Sequence, residues 1–312
     1  MSLLPFAIPP GLARQVELGP TWADWLARLP RLVRDVADEW DLSFDGAPLH
    51  GYTSVVVPVR QPDGSPAVLK VSYDGDREGV HEALGLQHWN GNGVVRLFRA
   101  DPRRRALLLE RLNYGRTLDE LWDLEACEVV AGFYARLHVP ALPRLQRLTA
   151  YVDRWTERLA RLPADAPVPR RLVEQAVSLG RSFVDDEVTD SVMIHGDLHY
   201  QNVLAADREP WLVIDPKPMA GDPHYEVAPM LWNRWDEVVA SGHVRDAVRR
   251  RFHTIIDAAG LEEDRARDWV VVRELHNVLW TIEDAAAVDR PLDAEDREAI
   301  TVAVTIAKAV QD

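Results

Sequence analysis

Residues 195–202 read His-Gly-Asp-Leu-His-Tyr-Gln-Asn, and residues 211–217 read Trp-Leu-Val-Ile-Asp-Pro-Lys. Short apolar runs precede Asp197 and Asp215, so each carboxylate is predicted to follow a strand. Asn202 lies five residues after the first of these carboxylates. This set suits phosphoryl transfer, because one carboxylate can orient an attacking hydroxyl while an amide oxygen and a second carboxylate hold Mg²⁺.

A matching cationic group is expected upstream, where Lys70 lies on an apolar strand. The runs Ser54–Val59 and Ala67–Ser72 flank a Pro- and Gly-containing turn, and this pattern predicts a β-hairpin. A strand interior is a costly place for an ammonium group unless anions surround it. We therefore expect a carboxylate partner for Lys70.

The next segment, Asp76–Trp89, predicts a helix that the Asn90-Gly pair ends. Glu82 on this helix is the expected partner of Lys70, and Glu78, one turn earlier on the same face, competes for the role. Taken alone, Glu82 is better explained as part of a solvated helix face. A second hairpin is predicted from the runs 94–100 and 105–110.

Helical patterning dominates the two ends of the chain. Residues 21–40 show apolar positions at helical spacing, with Thr21 as the expected N-cap and Pro30 as an expected break between two helices. Strands and helices are otherwise segregated, which is typical of the α+β class. Beyond residue 113 we expect helices over 117–140, 145–162, 167–188 and from about 225 onwards, and short strands at Val192–His195, Val203–Ala205 and Trp211–Ile214.

The charge is distributed unevenly. The formal net charge is −14, of which residues 1–112 carry −1 and residues 113–312 carry −13. This balance disfavours binding to nucleic acid or to an anionic membrane surface and favours a cationic small molecule as partner. Only three of the 36 basic residues are lysines, a skew that coding bias explains for the most part.

Nothing in the sequence indicates export. The single cysteine, Cys127, allows no intrachain disulfide, and residues 1–10 lack the basic start of a signal peptide. No stretch approaches the ~20 apolar residues of a membrane span. We expect a cytoplasmic protein that is a monomer or a weak dimer.

The segment from His195 to Asn202, with Asp215, resembles the catalytic loop of the aminoglycoside phosphotransferases, which are relatives of the protein kinases. Within that superfamily the chain is similar to the streptomycin 6-kinase (aminoglycoside 6-phosphotransferase) group, whose members include hydroxyurea phosphotransferases. The stretches that carry the closer match are 53–59, 91–97, 107–112, 199–204, 209–216 and 279–284.

The resemblance implies a bilobal, protein-kinase-like fold of the α+β class. An N-terminal nucleotide-binding lobe, residues 1–112, would hold an antiparallel sheet and one helix behind a helical extension over residues 1–41. A mostly helical C-terminal lobe, residues 113–312, would hold the catalytic loop and the acceptor site. The implied reaction is γ-phosphoryl transfer from ATP or GTP, with Mg²⁺, to a hydroxyl of an aminoglycoside. Antibiotic resistance is the implied role, and hydroxyurea or another amino sugar is the alternative acceptor.

The resemblance also implies a role for each site residue. Asp197 matches the catalytic base, and Asn202 and Asp215 match the Mg²⁺ ligands. Lys70 matches the lysine that contacts the α- and β-phosphates, and Glu82 matches its helix partner.

The purine is expected against backbone groups of Glu110, Arg111 and Leu112, which match the hinge between the lobes. The loop before the first hairpin lacks the Gly-x-Gly-x-x-Gly of protein kinases, so Thr53 or Ser54 is expected to contact phosphate. The implied role of His195 is architectural, and Lys217 either pairs with a nearby acid or faces a phosphate.

Carboxylates in the helical part are the candidates for binding a cationic acceptor. Glu283 and Asp284 follow Trp280 on a predicted helix and are preferred. Glu226 is a candidate too, although capping a helix and bracing the catalytic loop is an equally good interpretation. Further candidates are Asp236 and Glu237, with Trp232, Trp235 and Trp280 as possible apolar walls.

Two other classes of function remain open at this point. His195, Asp197 and His199 could form a metal cluster of a hydrolase, although this would leave Lys70 and Glu82 without a role. A non-catalytic kinase-like binding protein is the second alternative, although every position that the chemistry needs is filled. A P-loop and a dinucleotide-binding Gly-x-Gly-x-x-Gly are both absent from the sequence.

Overall fold

The computed structural model describes residues 7–311, so the N-terminal residues on which the signal-peptide interpretation rests in part lie outside it. The chain forms two compact units. The first contains the described residues up to Gly115 together with Leu204–Lys217, and the second contains Arg116–Val203 and the residues from Pro218 onwards. The sequence predicted a single boundary, after residue 112. In the structure, the segment Leu204–Lys217 also belongs to the first unit.

Specific bonds explain why the returning segment belongs to the first unit. Val213 bridges Val94 in parallel. The guanidinium of Arg208 donates to the carboxylate of Glu110 at 2.9 Å and to the carbonyl of Gly91 at 2.9 Å. These bonds join residues that are distant in sequence, so a local sequence pattern does not reveal them.

The described elements up to residue 117 are three α-helices and seven strands. They are α1 (Pro10–Ala13), α2 (Pro20–Glu39), β1 (Ser43–Phe44), β2 (Leu49–His50), β3 (Ser54–Arg60), β4 (Pro66–Ser72), α3 (Glu82–Trp89), β5 (Leu97–Asp101), β6 (Ala106–Glu110) and β7 (Asn113–Thr117).

Strands β1 to β6 form one antiparallel sheet in the order β1-β3-β4-β6-β5, with β2 paired to β3. Both predicted hairpins are present. The inward face of β3 and β4 packs against α2 in a single apolar cluster that includes Trp25, Leu29, Val57 and Leu69. Lys70 lies on β4, in the middle of this sheet, and faces away from that cluster because side chains alternate along a strand.

Helix α2 differs from the prediction in two ways. It runs unbroken through Pro30, and it begins at Pro20 after Gly19, so Thr21 is not its N-cap. Leu29 and Val33, on either side of the proline, are buried in the same cluster. This packing outweighs the backbone hydrogen bond that a helix-interior proline removes.

Helix α3 is shorter than predicted. A 3-10 turn covers Glu78–His81, and the α-helix begins only at Glu82. The carboxylate of Asp76 accepts the N–H groups of Glu78 and Gly79, which favours the turn over a regular helix start. As predicted, the helix ends at Asn90, which adopts the left-handed conformation.

The described elements beyond residue 117 are mostly helical, and the helices predicted over 117–140, 145–162 and 167–188 are six to nine residues shorter than expected. They are α4 (Asp123–Leu137), β8 (Val139–Pro140), β9 (Gln146–Arg147), α5 (Leu148–Leu159), α6 (Arg170–Asp185), β10 (Val192–Ile194), β11 (Val203–Ala205), β12 (Trp211–Val213), β13 (Met219–Gly221), α7 (Pro229–Trp232), α8 (Trp235–Ala240), α9 (Val244–Ala259), α10 (Glu263–Ala287) and α11 (Ala294–Ala309).

The short strands of the second unit hold the catalytic-loop segment. Strand β10 pairs with β13 and β8, and β13 also pairs with β9. Ile194 and Met219 from this sheet pack with Tyr151, Trp269 and Val272 from the surrounding helices. Residues 195–202 thus start from a buried strand. Over residues 7–311, no helix is long and apolar enough to cross a membrane.

The packing of β4 makes a prediction about stability. Leu69 is fully buried, so Leu69→Ala should lower the free energy of unfolding by about 2–5 kcal/mol, because it leaves a cavity in the cluster under α2. Chemical denaturation measures the loss. Leu18→Ala, at a half-exposed position, is the control and should change it by less than about 0.5 kcal/mol. Equal losses for the two variants would contradict this packing.

Candidate active site

The turn after β10 places the carboxylate of Asp197. His195 is fully buried, and its Nδ1 accepts the N–H of Asp197 at 3.2 Å, which fits the expected architectural role. Gly196 has a φ of +85°, a conformation that strongly favours glycine. The chain thereby turns sharply, and the Asp197 side chain stays partly exposed.

Two buried side chains hold the peptide groups of Gly196 from both sides. Its N–H donates to Oε1 of Glu226 at 2.6 Å, and its carbonyl accepts from Nη2 of Arg273 at 2.8 Å. Arg273 also donates to the carbonyl of Tyr225. Charged hydrogen bonds of this kind are stronger than neutral ones, so they fix the backbone next to Asp197.

Glu226, which the sequence offers either as an acceptor-binding carboxylate or as a brace of the catalytic loop, is enclosed within the second unit. Its side chain is fully buried, and its Oε2 lies 2.9 Å from Nε2 of His138. Burial alone would raise the pKa of Glu226, but the hydrogen bond and charge of His138, together with the Gly196 N–H, lower it below its ordinary value. The structure supports the second interpretation, in which Glu226 braces the catalytic loop.

Asn202 has a defined orientation. Its amide nitrogen donates to the carbonyl of Asp197 at 2.8 Å and lies 3.1 Å from Nε2 of His199. The amide oxygen is therefore directed away from these two groups. His199 Nε2 is 4.0 Å from Oδ1 of Asp197, so this imidazole lies beside both side chains.

The loop is further supported by arginines that the sequence reasoning did not single out. The ring of the buried Tyr200 lies 4.9 Å from the guanidinium carbon of Arg234 and 5.8 Å from that of Arg251. Arg251 is fully buried and donates to Asp123. Arginines are common in this chain, so an arginine alone is a weak signal. The sequence could have indicated that Arg251 and Arg273 are buried only through their position among apolar helix residues.

In the first unit, Lys70 is enclosed by two carboxylates. Its Nζ lies 2.7 and 2.8 Å from the oxygens of Glu82 and 2.5 Å from Oδ1 of Asp215. The expected pairing with Glu82 is present. Burial would lower the pKa of Lys70, but the charges of Asp215 and Glu82 outweigh it and raise the pKa, so the ammonium is charged at neutral pH.

Asp215 itself adopts a left-handed φ of +54°, which a non-glycine residue adopts rarely. Its side chain is 39% exposed, although one oxygen bonds Lys70. Lys217 lies with its Nζ 4.0 Å from the other oxygen, consistent with its pairing with a nearby acid. Lys70 and Lys217 thus face the two oxygens of this carboxylate.

Several groups that were expected to contact the nucleotide are bonded or buried within the first unit. The hydroxyl of Thr53 donates to Asp76 at 3.1 Å, and Ser54 is buried at the start of β3. The N–H of Glu110 donates to the carbonyl of Arg96, so this N–H is used within the first unit. Leu112 lies between β6 and β7.

The side chain of Arg111 is also committed to the first unit. Its guanidinium donates to Asp45 at 2.8 Å and to the carbonyl of Ala67 at 3.1 Å. The side chain of Arg111 therefore anchors the end of β6. The sequence predicted that backbone groups of Glu110 to Leu112 contact the purine. Since the Glu110 N–H is bonded to Arg96, the candidates are the backbone groups that follow it.

The acceptor candidates occupy different environments. Glu283 pairs with Arg158, and Glu237 pairs with Arg234. Asp284 and Asp236 are exposed. Trp280 packs against the apolar cluster of the second unit and remains partly exposed.

The same helix, α10, contains a buried acid that the sequence did not indicate. Glu274 is 1% exposed. Its Oε2 accepts from the amide of Asn277 at 3.3 Å, and its Oε1 has no hydrogen-bond partner among residues 7–311. Burial raises the pKa of Glu274 to about 8, although Asn277 and the charge of Arg273 act in the opposite direction. The carboxyl is therefore mostly protonated at pH 7 in the folded protein.

This raised pKa predicts a pH dependence of stability. Because the unfolded chain releases the Glu274 proton near pH 4.5 and the folded chain only near 8, the free energy of unfolding should fall as the pH rises between these values. The slope from this group is about 1.4 kcal/mol per pH unit. Chemical denaturation of Glu274→Gln between pH 4.5 and 8 should give a free energy of unfolding that lacks this contribution to the pH dependence.

Glu298→Gln, at an exposed position of α11, is the matched control and should retain the wild-type slope. A Glu274→Gln profile that coincides with the wild type would show that Glu274 does not titrate as described.

The interpretation as a metal-dependent hydrolase finds no support in the geometry. Within the described range 7–311, no group of three or more His, Cys, Asp or Glu side chains is placed to hold a metal ion. Both His195 and His199 use Nδ1 to accept a backbone N–H within their own loop. The structure thus engages these imidazoles in shaping the loop.

Comparison with known proteins agrees with the geometry. The family model for aminoglycoside/hydroxyurea antibiotic resistance kinases matches residues 39–285. The chain is 43% identical to a streptomycin 6-kinase of Streptomyces glaucescens, over 92% of this chain and 91% of that one. It is 38% identical to a hydroxyurea phosphotransferase of Kitasatospora aureofaciens, over 85% and 77% of the respective chains.

Solved structures show the same fold at low sequence identity. The choline kinase LicA from Streptococcus pneumoniae covers 90% of this chain and 99% of its own at 14% identity, with a TM-score of 0.59. The aminoglycoside phosphotransferase APH(4)-Ia, in its complex with ADP and hygromycin B, covers 89% and 98% at 18% identity, with a TM-score of 0.57. Given the match to the family model and the curated relatives, this chain belongs to the aminoglycoside/hydroxyurea antibiotic resistance kinases.

Proposed function

We propose that this protein transfers the γ-phosphoryl group of ATP or GTP to a hydroxyl of a streptomycin-like aminoglycoside and thereby confers resistance. The observation that carries the proposal is the buried Lys70 ammonium, held between the carboxylates of Glu82 and Asp215 in a member of a kinase family. A fixed, charged ammonium suits the α- and β-phosphates of a nucleotide. The first unit is then the nucleotide-binding part.

Asp197 is the proposed catalytic base. Its carboxylate is partly exposed and its backbone is fixed by the bonds to Gly196, so it can orient an acceptor hydroxyl and take up its proton as the phosphoryl group is transferred. Lys70 compensates negative charge on the phosphates during the same step. Thr53, Ser54 and the backbone after Glu110 complete the proposed nucleotide site.

The donor set fits Mg²⁺, which prefers amide and carboxylate oxygens. The bonds of the Asn202 amide nitrogen leave its oxygen as the available end, and the Asp215 side chain is 39% exposed. We assign these two residues as ligands. A bound Mg²⁺ would neutralise charge on the phosphates.

The acceptor is proposed to be a cationic small molecule that binds the second unit. This part of the chain carries the acidic excess, and Asp284 and Asp236 are exposed there. Streptomycin is favoured because two relatives at 43% and 40% identity are streptomycin 6-kinases. Hydroxyurea is the second candidate, since a relative at 38% identity is a hydroxyurea phosphotransferase. The proposed setting is the cytoplasm.

An acceptor panel tests the proposal. Purified protein with Mg-ATP or Mg-GTP should phosphorylate streptomycin, and NMR of the product should place the phosphate at one hydroxyl. Turnover of hydroxyurea alone would transfer the assignment to the second candidate. No turnover of any amino sugar, aminocyclitol or hydroxyurea would refute the proposed function.

Substitution of the proposed base gives a second test. Asp197→Ala should lower kcat by about 10²–10⁴-fold, because the acceptor hydroxyl loses its base. Asp207→Asn, in an exposed turn, is the control and should retain wild-type kcat. Steady-state kinetics with the accepted substrate measure both, and an unchanged kcat for Asp197→Ala would contradict the assigned role.

The brace at Gly196 predicts a separable effect. Glu226→Gln keeps the size of the side chain but removes its charge, so the peptide before Asp197 is held less firmly. The kcat should fall about 10- to 100-fold with the KM for nucleotide within about threefold, since misplacement of a catalytic group affects the chemical step. Circular dichroism establishes that the variant is folded, and a folded variant with wild-type kcat would exclude this positioning role.

A further inference from the structure

A cluster of aromatic side chains connects helices α5 and α10. The ring centroids of Trp155 and Trp280 lie 5.3 Å apart at 79°, and Tyr151 lies 6.2 and 6.3 Å from them. The imidazole of His276 is 6.4 Å from Trp280. We refer to Tyr151, Trp155, His276 and Trp280 as the α5–α10 aromatic cluster.

Several polar atoms of this cluster are buried without a hydrogen-bond partner. They are both ring nitrogens of His276, which is fully buried, and the indole nitrogens of Trp155 and Trp280. Buried polar atoms normally have partners, because leaving them unsatisfied is costly. These nitrogens are enclosed within the cluster, whereas Trp155 and Trp280 remain partly exposed, so a ligand can reach their ring faces but not these atoms.

An arginine of the protein itself shows which chemistry the cluster accepts. Nε and Nη2 of Arg158 lie 2.8 and 2.5 Å from the two carboxylate oxygens of Glu283, which is a two-pronged pairing. The guanidinium carbon of Arg158 is also 4.6 Å from the centre of the Trp155 ring. A guanidinium is thus held by a carboxylate fork and an indole face, the two contacts that suit this group.

The pairing is weak enough to be exchanged. The side chains of Arg158 and Glu283 are 45% and 28% exposed, and ion pairs at such positions contribute little to stability. Arg154 brings a second guanidinium to 5.3 Å from the Trp155 ring, so the ring attracts cations from more than one position. A guanidinium on a ligand can therefore replace that of Arg158 at small cost.

Helix α10 connects this cluster to the catalytic loop. Arg273 bonds the carbonyl of Gly196, next to Asp197. His276, Trp280 and Glu283 follow three, seven and ten residues later on the same helix face. At 1.5 Å per residue, Glu283 is about 15 Å along the helix axis from Arg273. A ligand with a hydroxyl at Asp197 and a guanidinium some distance away can reach both.

We propose that Trp155, Trp280 and Glu283 form a guanidinium subsite for the acceptor, and that Arg158 occupies this subsite until the acceptor displaces it. The inference rests on the proposed function and adds to it a specificity device. Acceptors that carry a guanidinium group gain a two-point ion pair with Glu283 and stack on the ring of Trp155. Hydroxyurea, which has no cationic group, gains neither.

Kinetics of matched variants test the displacement. Arg158→Gln removes the internal competitor and should lower the KM for streptomycin about three- to tenfold, because a larger fraction of the protein is competent to bind. Glu283→Gln should raise it about tenfold or more with little change in kcat. The double variant should have a KM between those of the two single variants, since Arg158 competes for the Trp155 ring as well as for the Glu283 carboxylate.

Arg181→Gln is the matched control. Arg181 pairs with Glu157 at 2.9 Å in the same unit, and its removal should leave the KM unchanged. A KM that rises in Arg158→Gln would overturn the proposal, because Arg158 would then belong to the binding wall. An unchanged KM in Glu283→Gln would overturn it as well.

A binding experiment decides the subsite independently of turnover. Methylguanidinium, titrated into Arg158→Gln, should shift the indole N–H signals of Trp155 and Trp280 in NMR spectra, with the signals assigned by Trp155→Phe and Trp280→Phe. Methylammonium, which lacks the planar fork, should shift them at least about tenfold more weakly. The wild type should need more methylguanidinium for the same shift.

The two proposals can fail separately. Selective methylguanidinium binding without phosphorylation of any acceptor would uphold the subsite and refute the proposed function. Phosphorylation of streptomycin with no selective shift of these indole signals would refute the subsite alone.

Discussion

The buried ammonium of Lys70 is the constraint on which the first unit depends. A charge at 6% exposure is tolerated only with partners, so the structure must bring Glu82 and Asp215 to within 2.8 Å of it. The Lys70–Asp215 bond adds to the bonds of Arg208 that hold the segment Leu204–Lys217 in the first unit. The strained φ of Asp215 belongs to the same arrangement, since it holds a partly exposed carboxylate against Lys70.

In the second unit, two buried side chains of opposite charge hold one backbone segment, at Gly196. Gly196 must adopt a positive φ for the chain to turn into Asp197, and its two peptide groups then point to opposite charges, Glu226 and Arg273. Both side chains are buried. Glu226 bonds the Gly196 N–H and His138, and two nitrogens of Arg273 bond backbone carbonyls. Charge that is buried in this way contributes little net stability but gives one defined geometry, because each bond lost would leave an uncompensated ion.

Local patterns predicted the parts of the molecule that depend on local physics. The β3–β4 hairpin follows from its apolar runs and turn residues, and the Lys70–Glu82 pair follows from the cost of a lysine on an apolar strand. The unbroken α2 could not be predicted, because the packing of Leu29 and Val33 that carries it through Pro30 is tertiary. The same holds for the role of Arg273 and for the pairing of Glu283 with Arg158, since side chains distant in sequence decide both.

These pairings change what the acidic excess of the second unit means. A net charge of −13 over residues 113–312 suggests general attraction for cations, yet several of the acids already have an arginine partner, as Asp222 has Arg265 and Glu237 has Arg234. Long-range attraction depends on net charge and is screened within about 10 Å at ordinary salt. Selection among cations must therefore come from contacts at short range. A planar guanidinium satisfies both oxygens of a carboxylate and stacks on an indole, whereas a compact ammonium does only part of this. Discrimination between acceptors therefore depends on particular pairs of residues such as Glu283 and Trp155. The net charge only attracts cations towards the second unit.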